Sequence, residues 1–342
     1  MRSKLAGLAA LAALMSLASA ATGPLPPHYE VMQVNGTPVR VGYVVAPSTN
    51  YALEVRLAAG AAGVRDVLRT FLSEPKDECA QNGGFLSELT GQPLGTLIQD
   101  GRVLHLGSDG WRLELDSKGH PTIVPDELHV AGTVVNAKGN PRTWTAFQIN
   151  EPPTPNRDTA VVFTDDWNGP IKSRLDTAVI VKAGKVTGVL KAARNTDIPS
   201  NGFVIAFGGK YAANANLFNV GDTVKYLVVD RKGKSPTATS AVAGGPPLVL
   251  AGKKPSSATF NDTHLVNGRA TRSAIGFTAK RDVIQAIFPS ATLPEVTQVM
   301  LRLGAVTALN LDGGGSAGLE CRSGTVAPVG RRLPSALVVV RR

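Results

Sequence analysis

Residues 29–45 read YEVMQVNGTPVRVGYVV, two β-rich runs at 29–34 and 39–45 flanking Asn35-Gly36. β-branched and aromatic residues favour extended backbone, and Asn-Gly tolerates the positive φ angles of a two-residue hairpin turn. A hairpin is expected here, and its texture recurs along the chain. Residues 51–57 read as a strand, and 94–149 as a meander with strands at 103–106, 111–115 and 129–135. Further strands are expected at 160–163, 177–181, 186–190, 202–207, 223–229 and 337–340. Two segments carry a helical period: 64–72, apolar at 64, 67, 68, 71 and 72, and 292–303. The second has Thr292 as N-cap, Pro294 in its first turn and Gly304 as its stop. Strands far outnumber helices. The expected fold is α+β, a mixed or antiparallel β-sheet core with few helices in a single domain over 28–342. No fixed-period repeat and no domain linker interrupt it.

The start of the chain reads as a targeting segment. Arg2 and Lys4 precede an apolar run at 5–17, and Ala18-Ser19-Ala20 supplies small residues for cleavage near Ala20. The run is shorter than the roughly 20 residues that span a bilayer, so no membrane span is expected. Export to the medium, the periplasm or the cell envelope follows, with 21–27 as a loose proline-rich leader. Cleavage takes two positive charges from the formal net +10 and leaves +8. A basic exported protein suits anionic partners such as phosphodiesters or acidic glycans. Basic runs interleaved with aromatics are missing, which argues against a nucleic-acid partner. Hydrophobic residues at 43% and charged residues at 18% exclude a disordered or fibrous chain.

Cys79 and Cys321 are the two cysteines, and an even pair in an oxidising compartment is expected to form a disulfide. It closes a very long loop, worth about 4–5 kcal/mol in the chain-entropy treatment. The alternative is two buried free thiols.

The strongest local signal for chemistry is Ala308-Leu309-Asn310-Leu311-Asp312-Gly313-Gly314-Gly315-Ser316. An apolar strand delivers an aspartate onto three glycines, which leave room for a ligand and can present N–H groups to an anion. The plain structural reading is a tight turn capped by Asp312. A second glycine turn, Asn82-Gly83-Gly84-Phe85, is followed by Glu88; the asparagine amide suits sugar hydroxyls. Arg272 and Ser273 lie in Thr271-Arg272-Ser273-Ala274-Ile275-Gly276, where Arg272 is a bidentate partner for phosphate or carboxylate. Gly244-Gly245-Pro246 reads as backbone architecture near the site. Asn150 joins the candidate substrate-binding residues. Asp165-Asp166 reads as a polar turn more readily than as a cation site. The histidines at 28, 105, 120, 129 and 264 show no ligand spacing, and a nucleophile elbow, a P-loop and a His-Glu-x-x-His pair are all missing.

In order, Asn-Gly-Gly-Phe, Ile198 to Gly202, Gly-Gly-Pro, Arg-Ser-Ala-Ile-Gly, the Asp312 segment and the stretch from Arg331 to Val339 resemble the phosphodiester glycosidase family. The resemblance implies hydrolysis of a sugar-1-phosphodiester at the anomeric carbon, releasing the sugar and a phosphomonoester. It implies Asp312 and Arg272 as catalytic residues, with Glu88 as a second carboxylate. By the resemblance, Asn82, Gly313, Gly314 and Gly315 would line the site, and Gly83, Gly84, Asn150, Ser273 and Ser316 complete the candidate substrate-binding residues. Asp312 is left with three open roles: acid/base, nucleophile or hydroxyl anchor. No cofactor is required, and a divalent cation is left unassigned. Where the family carries threonine after the arginine, a hydroxyl residue after Ser316 and a second aromatic after Phe85, this chain has Ser273, Ala317 and Leu86. The alternative on the same scaffold is a non-catalytic carbohydrate-binding protein of envelope polysaccharide assembly. A serine hydrolase built on Ser316 lacks an evident histidine partner.

Overall fold

Alternating and fully apolar runs dominate the chain, and they assemble into four sheets. The structure, a computed structural model, describes residues 24–107, 110–154, 158–256 and 266–342. The targeting segment at 1–20 therefore lies outside the described residues. A six-stranded sheet runs His28–Val34, Thr37–Ala46, Val283–Ala291, Ala270–Thr278, Ala305–Asn310, Pro247–Val249. A C-terminal five-stranded sheet is ordered Gly324–Ala327, Leu319–Cys321, Asp77–Asn82, Ser335–Arg341, Tyr51–Leu57. A second five-stranded sheet centres on Ser240–Gly244, between Leu97–Gln99 and Trp111–Leu115. An eight-stranded sheet takes the region from 129 to 229. Its one parallel ladder, Gln148–Ile149 against Thr159–Thr164, is the exception among the described ladders; the others are antiparallel.

The hairpin forms as expected. Val34 pairs with Thr37 across Asn35 and Gly36, whose φ angles of 50° and 81° give the turn the right-handed twist of its strands. The 94–149 meander is divided between the second five-stranded sheet and the eight-stranded one. The helix at Leu293–Arg302 is capped from both sides: Glu295 N–H donates to Thr292 Oγ1, and Thr292 N–H donates to Glu295 Oε2. Its face of Leu293, Val296, Val299 and Met300 is fully buried against Ala274, Ala286, Phe288 and Ala308 of the six-stranded sheet.

Two expectations change. Residues 64–72 are not a helix; only Leu68–Phe71 forms a short 3-10 turn. Asp66 instead exchanges backbone hydrogen bonds with Leu333, so its amide is spent on a β-bridge before a helix can propagate. Among the described residues α-helix is confined to Leu293–Arg302 and a half-turn at 266–267, so the fold is sheet-dominated and fits the α+β label loosely. Of the leader read as loose, residues 24–27 are described. Leu25 is 5% exposed within the core, and its carbonyl accepts from Ser323 Oγ at 2.6 Å.

One core joins three sheets: Ile275, Phe277 and Leu309 of the six-stranded sheet meet Val55, Leu337 and Val339 of the C-terminal sheet and Leu113 and Val242 of the second five-stranded sheet. The Cys79–Cys321 disulfide is buried in this core and links residues 242 apart. The two cysteines face each other across adjacent antiparallel strands. No helix among the described residues is long and apolar enough to cross a membrane.

Replacing both cysteines by alanine is expected to cost about 2–4 kcal/mol, measured as a lower urea midpoint against the oxidised protein. An unchanged midpoint would show that the strand pairing alone holds these two segments.

Candidate active site

Three sheets end at the same place. The Ala305–Asn310 strand exits the six-stranded sheet through Leu311, whose N–H donates to Ser273 O at 2.8 Å, and delivers Asp312. Asp77–Asn82 ends beside it in the C-terminal sheet, and Ser240–Gly244 ends there from the second five-stranded sheet. Contact between them is close enough to exclude side chains. A Cβ on Gly84 would lie 1.9 Å from Ala243 O in the neighbouring sheet, and one on Gly313 would lie 2.6 Å from Thr271 O of the six-stranded sheet the loop has just left. The Asn-Gly-Gly motif and the first of the three loop glycines are therefore required by backbone approach.

Asn82 joins the pieces. It is buried, its Nδ2 donates to Asp312 O and to Gly83 O, both at 2.9 Å, and its Oδ1 accepts from Gly318 N–H at 3.1 Å. Its amide is thus engaged with backbone at both ends of the 312–318 loop and supports the loop from below. Ser273 is fully buried, and its hydroxyl accepts from Gln81 Nε2 at 3.0 Å. Gln81 also donates to Ala274 O and Ala286 O. Arg272 is 6% exposed and donates to Ala291 O at 3.3 Å and Gly268 O at 2.6 Å. Burial lowers its pKa. Its Cδ passes 3.9 Å from the Cβ position of Gly313, so it lies directly beneath the loop.

Asp312 is half-buried above this support. Burial raises its pKa above the ordinary aspartate value; Ser316, the Arg331 charge and the Gly313 amide pull it back, and Glu88 adds a small upward push. Ser316 Oγ is buried and leans towards this carboxylate without completing a hydrogen bond of ordinary geometry. Gly314 and Gly315 are exposed. Glu88 is exposed too, with one carboxylate oxygen 3.9 Å from Arg331 Nη1.

Asn150 is not part of this cluster. Its buried amide donates to Leu104 O and Thr164 Oγ1 and accepts from Thr164 N–H, which closes an irregular point of the eight-stranded sheet. Asp165 and Asp166 face Arg102. Three residues that hold or border the loop were not picked out as site residues. Gln81 and Asn310 are polar residues in buried strands, and Asn310 Nδ2 donates to Gly245 O at 2.7 Å. Arg331 follows Gly330, whose N–H donates to Gly315 O at 3.0 Å, and its Nη2 and Nε lie 3.4 and 3.5 Å from the Cβ position of Gly315. A glycine immediately before an arginine pair was the available signal for it.

Residues 176–340 match the model of the phosphodiester glycosidase family. The matched segment contains Arg272, the Asp312 loop and Arg331, and the resemblance drawn from motif order is borne out over it. Among solved structures the chain is similar to a hypothetical protein from Synechocystis, at 20% identity and a TM-score of 0.79 over 93% of this chain and 62% of that one. It is also similar to a protein from Burkholderia pseudomallei, at 20% identity and a TM-score of 0.69 over 89% and 74% of the two chains. A third likeness is to the zebrafish N-acetylglucosamine-1-phosphodiester α-N-acetylglucosaminidase catalytic domain, auto-inhibited by its pro-peptide, at 14% identity and a TM-score of 0.52 over 95% and 86%. These likenesses are of fold. The chain spans less than two thirds of the Synechocystis protein. No curated protein matches.

Two stability outcomes follow from this geometry. Asn82→Ala leaves Gly318 N–H and Asp312 O without their partner and is expected to cost about 2–3 kcal/mol in denaturant unfolding; a loss under 0.5 kcal/mol would mean the loop is held elsewhere. The folded-state pKa of Asp312 lies above its unfolded value, so its favourable contribution is complete below the ordinary aspartate pKa and is lost as pH rises through the raised one. At neutral pH the buried charge therefore costs stability. Asp312→Asn should melt about 1–2 °C higher at pH 7.5, with the gain gone near pH 3; a lower melting temperature at pH 7.5 contradicts this.

Proposed function

We propose that this chain is an exported phosphodiester glycosidase, hydrolysing a sugar-1-phosphodiester at the anomeric carbon. The observation that carries the reading is the pairing of one desolvated carboxylate with arginine charge on a side-chain-free loop, inside the segment that matches the family. In the net reaction water supplies a hydroxyl to C1, its other proton passes to the departing phosphate or to solvent, the C1–O bond breaks, and the phosphomonoester leaves with the bonding pair. A phosphate leaves readily as an anion, so the protein's main task is to stabilise charge at both ends of the breaking bond. Asp312 is the group for the sugar end. Taken partly out of water, its carboxylate is a stronger base and a closer counter-charge for an oxocarbenium-like centre than a solvated one. Arginine and the exposed glycine loop serve the phosphate end. Export is supported by the Arg2/Lys4 apolar segment and by the buried Cys79–Cys321 disulfide.

The test is a screen of sugar-1-phosphodiesters with product identification, run beside Asp312→Asn. The wild type should release free sugar and a phosphomonoester, and the variant should fall by about 10²-fold or more in kcat/KM. Activity that requires the ionised carboxylate should also fall as pH drops through the raised Asp312 pKa, which puts the acid limb above the ordinary aspartate range. Equal turnover by the variant, or release of an alcohol with sugar-1-phosphate retained, would refute the assignment.

A further inference from the structure

Two arginines reach the Asp312 loop, and their surroundings differ. Arg272 is 6% exposed and already donates to the carbonyls of Gly268 and Ala291, with its stem under Gly313. Arg331 lies on the other side. Its guanidinium sits over the α-carbon of exposed Gly315 and retains 41% of its side-chain exposure. Its ion-pair partner, Glu88, is 3.9 Å away and 88% exposed. A separation of 3.9 Å is an ion pair without a hydrogen bond, and pairs this exposed contribute little. Its donors therefore remain open to a better acceptor. Gly330 N–H donates to Gly315 O, which ties the backbone next to Arg331 to the loop.

We propose that Arg331, and not Arg272, is the residue that grips the non-bridging oxygens of the substrate phosphate, and that Glu88 is its resting counter-ion. This rests on the function proposed above and names the substrate-recognising group of that site. A planar guanidinium meets two phosphate oxygens at once, with charge-assisted bonds about 1 Å shorter than the contact to Glu88. The diester then displaces Glu88, whose exposed carboxylate swings into water at small cost. Glu88 has the opposite effect to a second catalytic carboxylate: its charge competes with the phosphate. Arg272 acts as a positioning residue, supporting Gly313 from beneath.

The test uses the full mature chain with wild type, Arg331→Met, Arg331→Lys and Glu88→Gln. Calorimetric titration with inorganic phosphate should show a Kd raised roughly tenfold to a hundredfold in Arg331→Met, with partial recovery in Arg331→Lys. Glu88→Gln should bind phosphate more tightly, by about twofold to fivefold. In turnover of a sugar-1-phosphodiester, Arg331→Met should raise KM by a similar factor, while Glu88→Gln lowers it. Arg331 is exposed, so a melting curve matching wild type verifies folding. Wild type that binds no phosphate, Arg331→Met that binds it unchanged, or a collapse of kcat in Glu88→Gln would each overturn the inference. Phosphate binding through Arg331 without any diester cleavage would leave it standing and remove the proposed function instead.

Discussion

The 312–318 loop leaves one sheet and returns in another, and the amide of Asn82 closes its neck. Asp312 O and Gly318 N–H stand where strand pairing has stopped, the second buried and the first partly buried. Each would cost about 1–3 kcal/mol if left unpaired. Asparagine suits the position because it offers a donor and an acceptor on one short planar group; aspartate or leucine of similar size could satisfy at most one side. Cys79 lies three residues earlier on the same strand, paired to Cys321 just past the loop. Covalent bond and amide thus pin the same two strands at two levels. The carboxylate between them gains a fixed position, with its oxygens facing Ser316 and the Gly313 amide.

A second constraint follows from bringing three sheet ends together. Strands meeting at their ends have no pleat to interleave, so backbone must approach backbone. Gly84 against Ala243 and Gly244 against Asn310 are two such approaches between sheets. Under them, Gln81 Nε2 donates to Ser273 Oγ and to the carbonyls of Ala274 and Ala286, which an all-apolar layer would leave unserved on that side. The polar layer and the glycines are two consequences of one geometry.

This explains what was legible in the sequence. The hairpin, the capped helix and the strand runs depend on neighbours within a few residues, and period and turn chemistry report them well. The Asp312 loop was legible because its glycines announce close contact. The segment at 64–72 misled because its apolar spacing suits a helix, while a partner 267 residues later, Leu333, takes the Asp66 amide. Asn82 and Ser273 were chosen for chemistry that suits a ligand, and the fold uses that same chemistry internally, Asn82 on backbone and Ser273 on the Gln81 amide. Asn150 shows the limit more clearly. Nothing local distinguishes an asparagine that meets a sugar from one that ties Leu104 to Thr164. Arg331 was passed over for the converse reason, since an exposed arginine becomes informative only once Gly315 is found beneath it.

The electrostatics of the site also link its two halves. Burial raises the proton affinity of Asp312, and the nearby Arg331 charge holds that rise in check. An anion on the guanidinium would cancel part of this restraint, so a phosphate held there as proposed would make the Asp312 carboxylate a stronger base. Linkage is reciprocal: a protonated Asp312 removes a repulsive charge and must tighten the anion by the same factor. A phosphate held on Arg331 as proposed would meet an ionised Asp312 only above the Asp312 pKa of the occupied site, and above it the phosphate affinity would settle to a constant, weaker value. Glu88 moderates that coupling. While it faces Arg331 it weakens the arginine's hold on Asp312; under the proposed recognition its displacement would give the cation to the incoming phosphate.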